Sequence, residues 1–282
     1  MQNDIITRFK TGLNNELSKD EIFKICPVAF EITPTNPDVS DKYLFVNTET
    51  IINDLRKLGW IPVSAAQRKN RGKSTIFSKH MISFQNPDLI IRGKDGDDAY
   101  PRIILTNSHD GLQSFRFSVG IFRMVCSNGL VVADEKFSEF KIKHKGYTFS
   151  ELREVVAETI KDLPKRVDVM NKMRGKQLSE SEKQSLALNA MLVRAGIRPG
   201  SEKANEYQYD LETLEDILEP KRKQDKGEDL WTVFNVVQEK IIKGDFHAAL
   251  KGAKVRKVRP IQSFEKDLEV NKELFKLATS LL

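Results

Sequence analysis

Cysteine is almost absent: 282 residues carry only Cys26 and Cys126. Two thiols so far apart in sequence do not make a disulfide framework, so a reducing, cytoplasmic setting is expected. No apolar run approaches the roughly 20 residues a bilayer-spanning helix needs, so no membrane partner is expected. The first residues, Met1 to Thr7, lack a basic stretch followed by an apolar run and a small-residue cleavage site, and no secretory signal is expected. No Gly-x-x-x-x-Gly-Lys-Ser/Thr or Gly-x-Gly-x-x-Gly loop occurs, which argues against ATP or dinucleotide use. No Cys-x-x-Cys or His-Glu-x-x-His box holds a metal locally, and no carboxylate pair at helical spacing suggests a two-metal nuclease. No cofactor is therefore expected. Repeats and low-complexity tracts are also missing.

The composition that remains is globular, with 39% hydrophobic and 30% charged residues. Net charge is +6, and its placement is uneven. Residues 41–147 carry 17 basic and 11 acidic side chains, and residues 251–282 carry 8 and 4, whereas 1–40 and 148–250 are each slightly acidic. Concentrated positive charge suits a polyanionic partner, although a basic surface that is merely solvated looks the same in composition.

The patterning predicts an α+β protein: a mostly antiparallel β-sheet core with a flanking helix, followed by a helical C-terminal region. Four segments are expected: a lead-in over 1–40, the sheet core over 41–147, a helical region over 148–250, and a basic tail with a terminal helix over 251–282. In the lead-in, Asp20 to Cys26 reads as a short helix with Ile22, Phe23 and Cys26 inward, stopped by Pro27. Thr48 is placed as the cap of a helix from about Glu49 to Leu58, with Ile51, Ile52, Leu55 and Leu58 on one stripe and Gly59 ending it. His80 to Phe84 alternates as a strand with His80, Ile82 and Phe84 facing one way. Arg102–Asn107 and Phe115–Cys126 read as a hairpin turning at Asp110-Gly111, and Phe140–Lys145 adds further strand. Thr148-Phe149-Ser150-Glu151 is a capping box opening a helix to about Arg174, with Leu152, Val155, Val156, Ile160, Leu163, Val167 and Met170 as its stripe and a kink at Pro164. Further helices follow from Ser179 to near Gly196, over Leu211–Leu218, from Asp229 to Gly244, and from about Gln262. Residues 221–227 read as a polar, exposed linker.

Seven short stretches then resemble a known family. They are Cys26-Pro27-Val28-Ala29-Phe30, Asp41 to Val46, Ser78-Lys79-His80, Asn107-Ser108-His109-Asp110-Gly111, Phe122 to Gly129, Lys143-His144-Lys145-Gly146, and Leu230-Trp231-Thr232-Val233-Phe234-Asn235. In this order they resemble the phage/plasmid-like family of unknown function that includes the YfjQ/YafZ-type prophage proteins. The resemblance implies a setting on mobile elements, in the company of recombination and replication functions. It implies no catalytic residues.

Three constellations bear on function. The first is basic: Arg68, Lys69, Arg71 and Lys73 form an arm, with Lys79 nearby, Lys141, Lys143 and Lys145 alternate along one strand, and Lys254, Arg256, Lys257 and Arg259 lie in the tail. Such rows neutralise phosphates, though lysines along an edge strand also guard against aggregation. Trp60, Phe77 and Tyr147 are candidates for base stacking, each also a plausible core residue. The second is His80, His109, Asp110, Cys126 and His144, ligand types of a transition metal but without local spacing. The third is Cys126 as a nucleophile with a histidine base. These readings lead to the expectation of a sequence-tolerant DNA-binding protein of a phage, plasmid or integrated element, supporting recombination, replication or strand annealing. Self-association is a linked expectation, and single- and double-stranded DNA stay open. The alternatives are an effector that binds a host defence or replication protein, through an apolar patch with Phe275 and Leu281, and a metal-dependent enzyme.

Overall fold

Six strands pair in strict chain order. The computed structural model describes residues 5–9, 16–32, 45–68, 77–93, 96–110, 115–123, 140–142, 148–207, 209–248 and 254–282. Strands β1 (Ile5–Phe9), β2 (Ile61–Arg68), β3 (His80–Gln85), β4 (Ala99–Asn107), β5 (Phe115–Arg123) and β6 (Phe140–Ile142) form one antiparallel sheet in which each strand neighbours the next. The chain divides into two compact units, residues 1–163 with 262–264 and residues 164–261 with 265–282.

In the first unit, helices α1 (Lys19–Ile25), α2 (Thr48–Lys57) and the start of α3 (Phe149–Gly175) join the sheet in one apolar core. Alternate strand residues supply it, Ile82 and Phe84 from β3, Ile103 and Leu105 from β4, and Phe117 from β5. Ile51, Ile52 and Leu55 of α2 and Leu152, Val155 and Val156 of α3 close it from the helical side. The period of two on the strands thus meets the i, i+3, i+4 stripe of the helices.

Several expectations shift in register. Phe23 is 54% exposed, while Ile22, Ile25 and Cys26 are buried. Those three are the i, i+3, i+4 set, and Phe23 lies one helical step off it, leaning on Phe30 with ring centroids 5.7 Å apart. The cap of α2 is Asn47, whose side chain accepts from the Thr50 amide at 3.2 Å, and Thr48 enters the first turn buried. The Thr148/Glu151 capping box forms as expected. On α3 the buried stripe takes Thr159 in place of Ile160, and the Thr159 hydroxyl turns back onto the Val155 carbonyl at 2.8 Å. The helix runs through Pro164, and the boundary between the units falls between Leu163 and Pro164. The β4–β5 hairpin forms, but Asp110 sits in a longer connection than a two-residue turn, accepting from the Ser108 hydroxyl at 2.6 Å.

The second unit holds α4 (Glu180–Arg194), α5 (Leu211–Leu218), α6 (Leu230–Lys243), a ribbon of β7 (His247–Ala248) and β8 (Arg256–Lys257), and all but the first residue of α7 (Phe264–Thr279). The sequence predicts one apolar face for α6; in the fold every residue from Leu230 to Ile242 is buried. Its polar residues are therefore paired. Gln238 donates to Asn271 at 2.5 Å, Lys240 pairs with Asp216 at 2.9 Å, and Glu239 receives a two-pronged contact from Arg222 at 2.6 and 2.8 Å. That last contact corrects the exposed-linker reading: Arg222 is half-buried, and Asp225, which it also holds at 3.0 Å, is buried. Trp231 and Phe234 are core anchors, and Phe275 packs edge-on against Phe234 at 6.2 Å. Phe275 is therefore interior and forms no docking patch. Asn235 bonds back to the Trp231 carbonyl at 2.7 Å rather than across to another helix.

Candidate functional site

A row of polar side chains crosses the end of the sheet in the first unit. The antiparallel registers place Gln67 of β2 opposite His80 of β3, and His80 opposite Asn107 of β4. Residues opposed across strands share a face, so the row is continuous. All three are buried. The start of α2 rests on it. The His80 Nδ1 lies 3.1 Å from the Ser78 carbonyl, which can only accept, so the neutral ring carries its proton there. Nε2 is then an acceptor, and the Thr48 hydroxyl donates to it at 2.9 Å. The same hydroxyl oxygen accepts from Asn107 Nδ2 at 3.0 Å. Burial lowers the His80 pKa to about 4, which keeps the ring neutral.

Around this chain lies a second layer. His109 donates from Nε2 to the Val28 carbonyl at 3.2 Å, and the Val28 amide donates to Gln67 at 3.2 Å. The His109 ring packs tilted against Phe45 at 4.7 Å and against His80 at 5.1 Å. Cys26 is buried close by in sequence to Val28, and burial pushes its thiol well up, so it is an inert core group. Thr48, His80 and His109 are all 0% exposed. A hydroxyl against an imidazole is the arrangement of an activated nucleophile, yet here it is sealed and its hydrogen-bonding capacity is spent on Asn107 and His80. Its physical effect is to fix α2 and the Val28 turn onto the ends of three strands.

The structure thus brings together residues from four of the resemblance stretches: Val28, Phe45, Ser78 with His80, and Asn107 with Ser108 and His109. Of the metal candidates, His80 and His109 are neighbours, but their described contacts are a hydroxyl, a ring and backbone carbonyls. Asp110 is turned to Ser108, while Cys126 and His144 lie outside the described residues. Among the described residues no group of three or more His, Cys, Asp or Glu side chains could hold a metal ion. Sequence reasoning missed Thr48, Gln67 and Phe45. The available signal was a polar residue alternating with Ile82 and Phe84 on an inward strand face, which requires buried partners.

The basic residues divide differently. Arg68 is exposed at the end of β2, and its amide bonds the carbonyl of the half-buried Lys79 at 2.9 Å. Lys69, Arg71, Lys73, Lys143 and Lys145 lie outside the described residues, as does Tyr147, and Lys141 is described only as backbone of β6. Trp60 is wholly buried in the core and offers no stacking face, and Phe77 is half-buried. In the second unit Lys254, Arg256, Lys257 and Arg259 are all exposed, two of them forming β8. The base of this ribbon is tied down. The Val258 amide bonds the buried Phe246 carbonyl at 2.9 Å, and Ile261 bonds Ile242 at 2.9 Å. Arg194 donates to the carbonyls of both Ile241 and Arg259. Gly244, at φ +80°, lies so close to the strand that an added Cβ would stand 2.5 Å from the Arg259 carbonyl carbon. No helix of the described residues is long and apolar enough to cross a membrane.

Comparison with known proteins finds kinship without an activity. The chain is 31% identical to the UPF0380 protein YfjQ of Escherichia coli (strain K12), over 94% of this chain and 92% of that one. It is 30% identical to the UPF0380 protein YafZ of the same organism, with the same coverage. No solved structure matches it. The family described as Domain of unknown function (DUF932) matches residues 38–275, and the chain belongs to that family.

Proposed function

We propose that the protein binds DNA without strong sequence preference, in the service of recombination, replication or strand annealing on a mobile element. The observation that carries this reading is the basic ribbon: Lys254, Arg256, Lys257 and Arg259 are exposed on a segment whose backbone is fixed from below. Cations held on a rigid base neutralise phosphates without the ordering cost that a loose tail incurs. The buried Thr48–His80–Asn107 network supports a structural role for the residues that carry the family resemblance, which leaves the surface to carry the activity.

Fluorescence anisotropy with labelled DNA at about 50 and 200 mM salt tests the reading. Wild type is compared with two variants, one with Lys254, Arg256, Lys257 and Arg259 changed to Glu and one with Arg68, Lys69, Arg71 and Lys73 changed to Glu. Salt-sensitive binding that the ribbon variant loses is the expected result. No binding by wild type at the lower salt removes the proposal.

A further inference from the structure

The sheet of the first unit turns Ile82, Phe84, Ile103, Leu105 and Phe117 toward the helices. Alternation sends Gln85 of β3, Tyr100 and Arg102 of β4, and Gly120 and Phe122 of β5 to the other face. The registers set Gln85 and Gly120 on either side of Arg102, and Phe122 opposite Tyr100. Arg102 is half-buried in the middle of this face. Its Nε donates to Gln85 Oε1 at 3.3 Å, and its Cζ lies 4.1 Å from the centre of the Phe122 ring. Phe122 and Gln85 are themselves buried, so the guanidinium is held flat by two uncharged neighbours. Its terminal nitrogens donate to nothing among the described residues. The carboxylates at the start of β4 are engaged elsewhere: Asp97 by the buried Arg123, and Asp98 by Arg92 at 2.7 Å and the Gly93 amide at 3.0 Å. Burial draws the Arg102 pKa down to about 10, with no carboxylate to restore it.

Tyr100 stands beside it on the same strand face and is only 3% exposed, yet its buried hydroxyl has no hydrogen-bond partner. Burial, and after it the charge of Asp98, raises the Tyr100 pKa, so the phenol keeps its proton and is available to donate; Arg92 offsets part of that charge. A buried donor without an acceptor is costly, and so is a desolvated cation without an anion. We infer that Arg102 and Tyr100 hold a small oxyanion, a phosphoryl or carboxyl group, on this face of the sheet. A guanidinium presents its terminal N–H groups as a planar fork that matches two oxygens of such a group, and the phenol supplies a further donor. A cation is repelled by Arg102, and an apolar ligand leaves the donors unmet. Donors this deep suit the end of a small molecule rather than the backbone of a duplex. The site is therefore separate from the ribbon and does not rest on the DNA-binding reading.

The experiment measures uptake of radiolabelled inorganic phosphate and of radiolabelled acetate by the full chain in equilibrium dialysis, with ionic strength held constant by sodium chloride. Wild type is set beside Tyr100→Phe, Arg102→Gln and Arg256→Gln, and the melting temperature of each is checked. Saturable uptake at a single site is expected, abolished by Arg102→Gln and weakened at least about tenfold by Tyr100→Phe. Uptake of phosphate but not acetate, or the reverse, identifies which group the site takes. Tyr100→Phe removes only the unmet hydroxyl and should melt no lower than wild type, so it decides the matter even where Arg102→Gln does not fold. Uptake unchanged in Tyr100→Phe overturns the inference, as does no saturable uptake of either anion at millimolar concentration. Uptake kept by Arg102→Gln and lost in Arg256→Gln also overturns it, because the anion then sits on the ribbon. The DNA titrations use other variants and another probe, so either reading can fail while the other stands.

Discussion

At Thr48 one hydroxyl donates to His80 and accepts from Asn107, joining α2 to β3 and β4. Thr48→Val keeps the shape and deletes both bonds, leaving an imidazole nitrogen and an amide hydrogen buried and unmet. The expected loss is roughly 2–3 kcal/mol in urea unfolding, whereas Thr48→Ser should stay close to wild type. Equal losses for both variants would refute the hydrogen-bond account. His80 adds a pH term. Its folded pKa is about 4 against 6.5 when unfolded, so between those values the unfolded chain binds the extra proton. Stability therefore rises with pH through that window, and His80 withdraws up to roughly 3 kcal/mol as pH falls from 6.5 to 4. Asp267, which burial raises to about 7, has the opposite sign, so the test compares slopes. A shallower rise of stability with pH in His80→Gln than in wild type is expected, and identical slopes would count against the neutral ring. At this scale the sequence was half legible. The inward alternation of His80 with Ile82 and Phe84 could be read directly. Thr48 could not, because a threonine before a helix is a plausible cap, and only the position of His80 across the sheet shows that its hydroxyl is needed elsewhere.

Among the elements, α6 departs most from its pattern. Its apolar stripe predicts one buried face, yet Glu239 and Lys240 are interior as well. Burial was illegible because the partners that permit it, Arg222 and Asp216, lie 17 and 24 residues away in segments that look like linker and surface helix. Burial alone would raise the Glu239 carboxyl; hydrogen bonds from Arg222 and Lys243, with their charges, bring it down to about 2. Arg222→Ala should destabilise the protein by roughly 2–3 kcal/mol. That is below the loss for a fully buried pair, because Arg222 is part-exposed and Lys243 still reaches Glu239. Adding Glu239→Gln should restore most of it, since the uncompensated charge is then gone. Urea midpoints for the single and double variants decide this, and a double variant no more stable than the single would exclude the ion-pair account. Where local signals and packing agree, as at the Thr148/Glu151 and Ser179/Glu182 capping boxes, the elements form where the sequence places them.

For the molecule as a whole, net charge is a poor guide until the cations are sorted by partner. Arg123 is buried against Asp97, Lys240 against Asp216, and Arg222 is held by two acids, so none of these serves a polyanion. The tail keeps four exposed cations between residues 254 and 259. Composition could locate that excess, but it could not show that the backbone beneath is pinned by Arg194 and by the close approach at Gly244. If all four cations meet phosphates, each releases a condensed counterion, and log Kobs against log salt should fall with a slope of about −3 to −4. Arg256→Gln removes one contact and should flatten the slope by about 0.9. Phosphate contacts position the protein without reading bases, so the affinity loss should be the same on duplexes of unrelated sequence. Anisotropy titrations on two such duplexes across a salt series measure both quantities. A slope left unchanged by Arg256→Gln would take the ribbon out of the phosphate contact, whereas a loss confined to one duplex would mean that Arg256 reads bases rather than backbone.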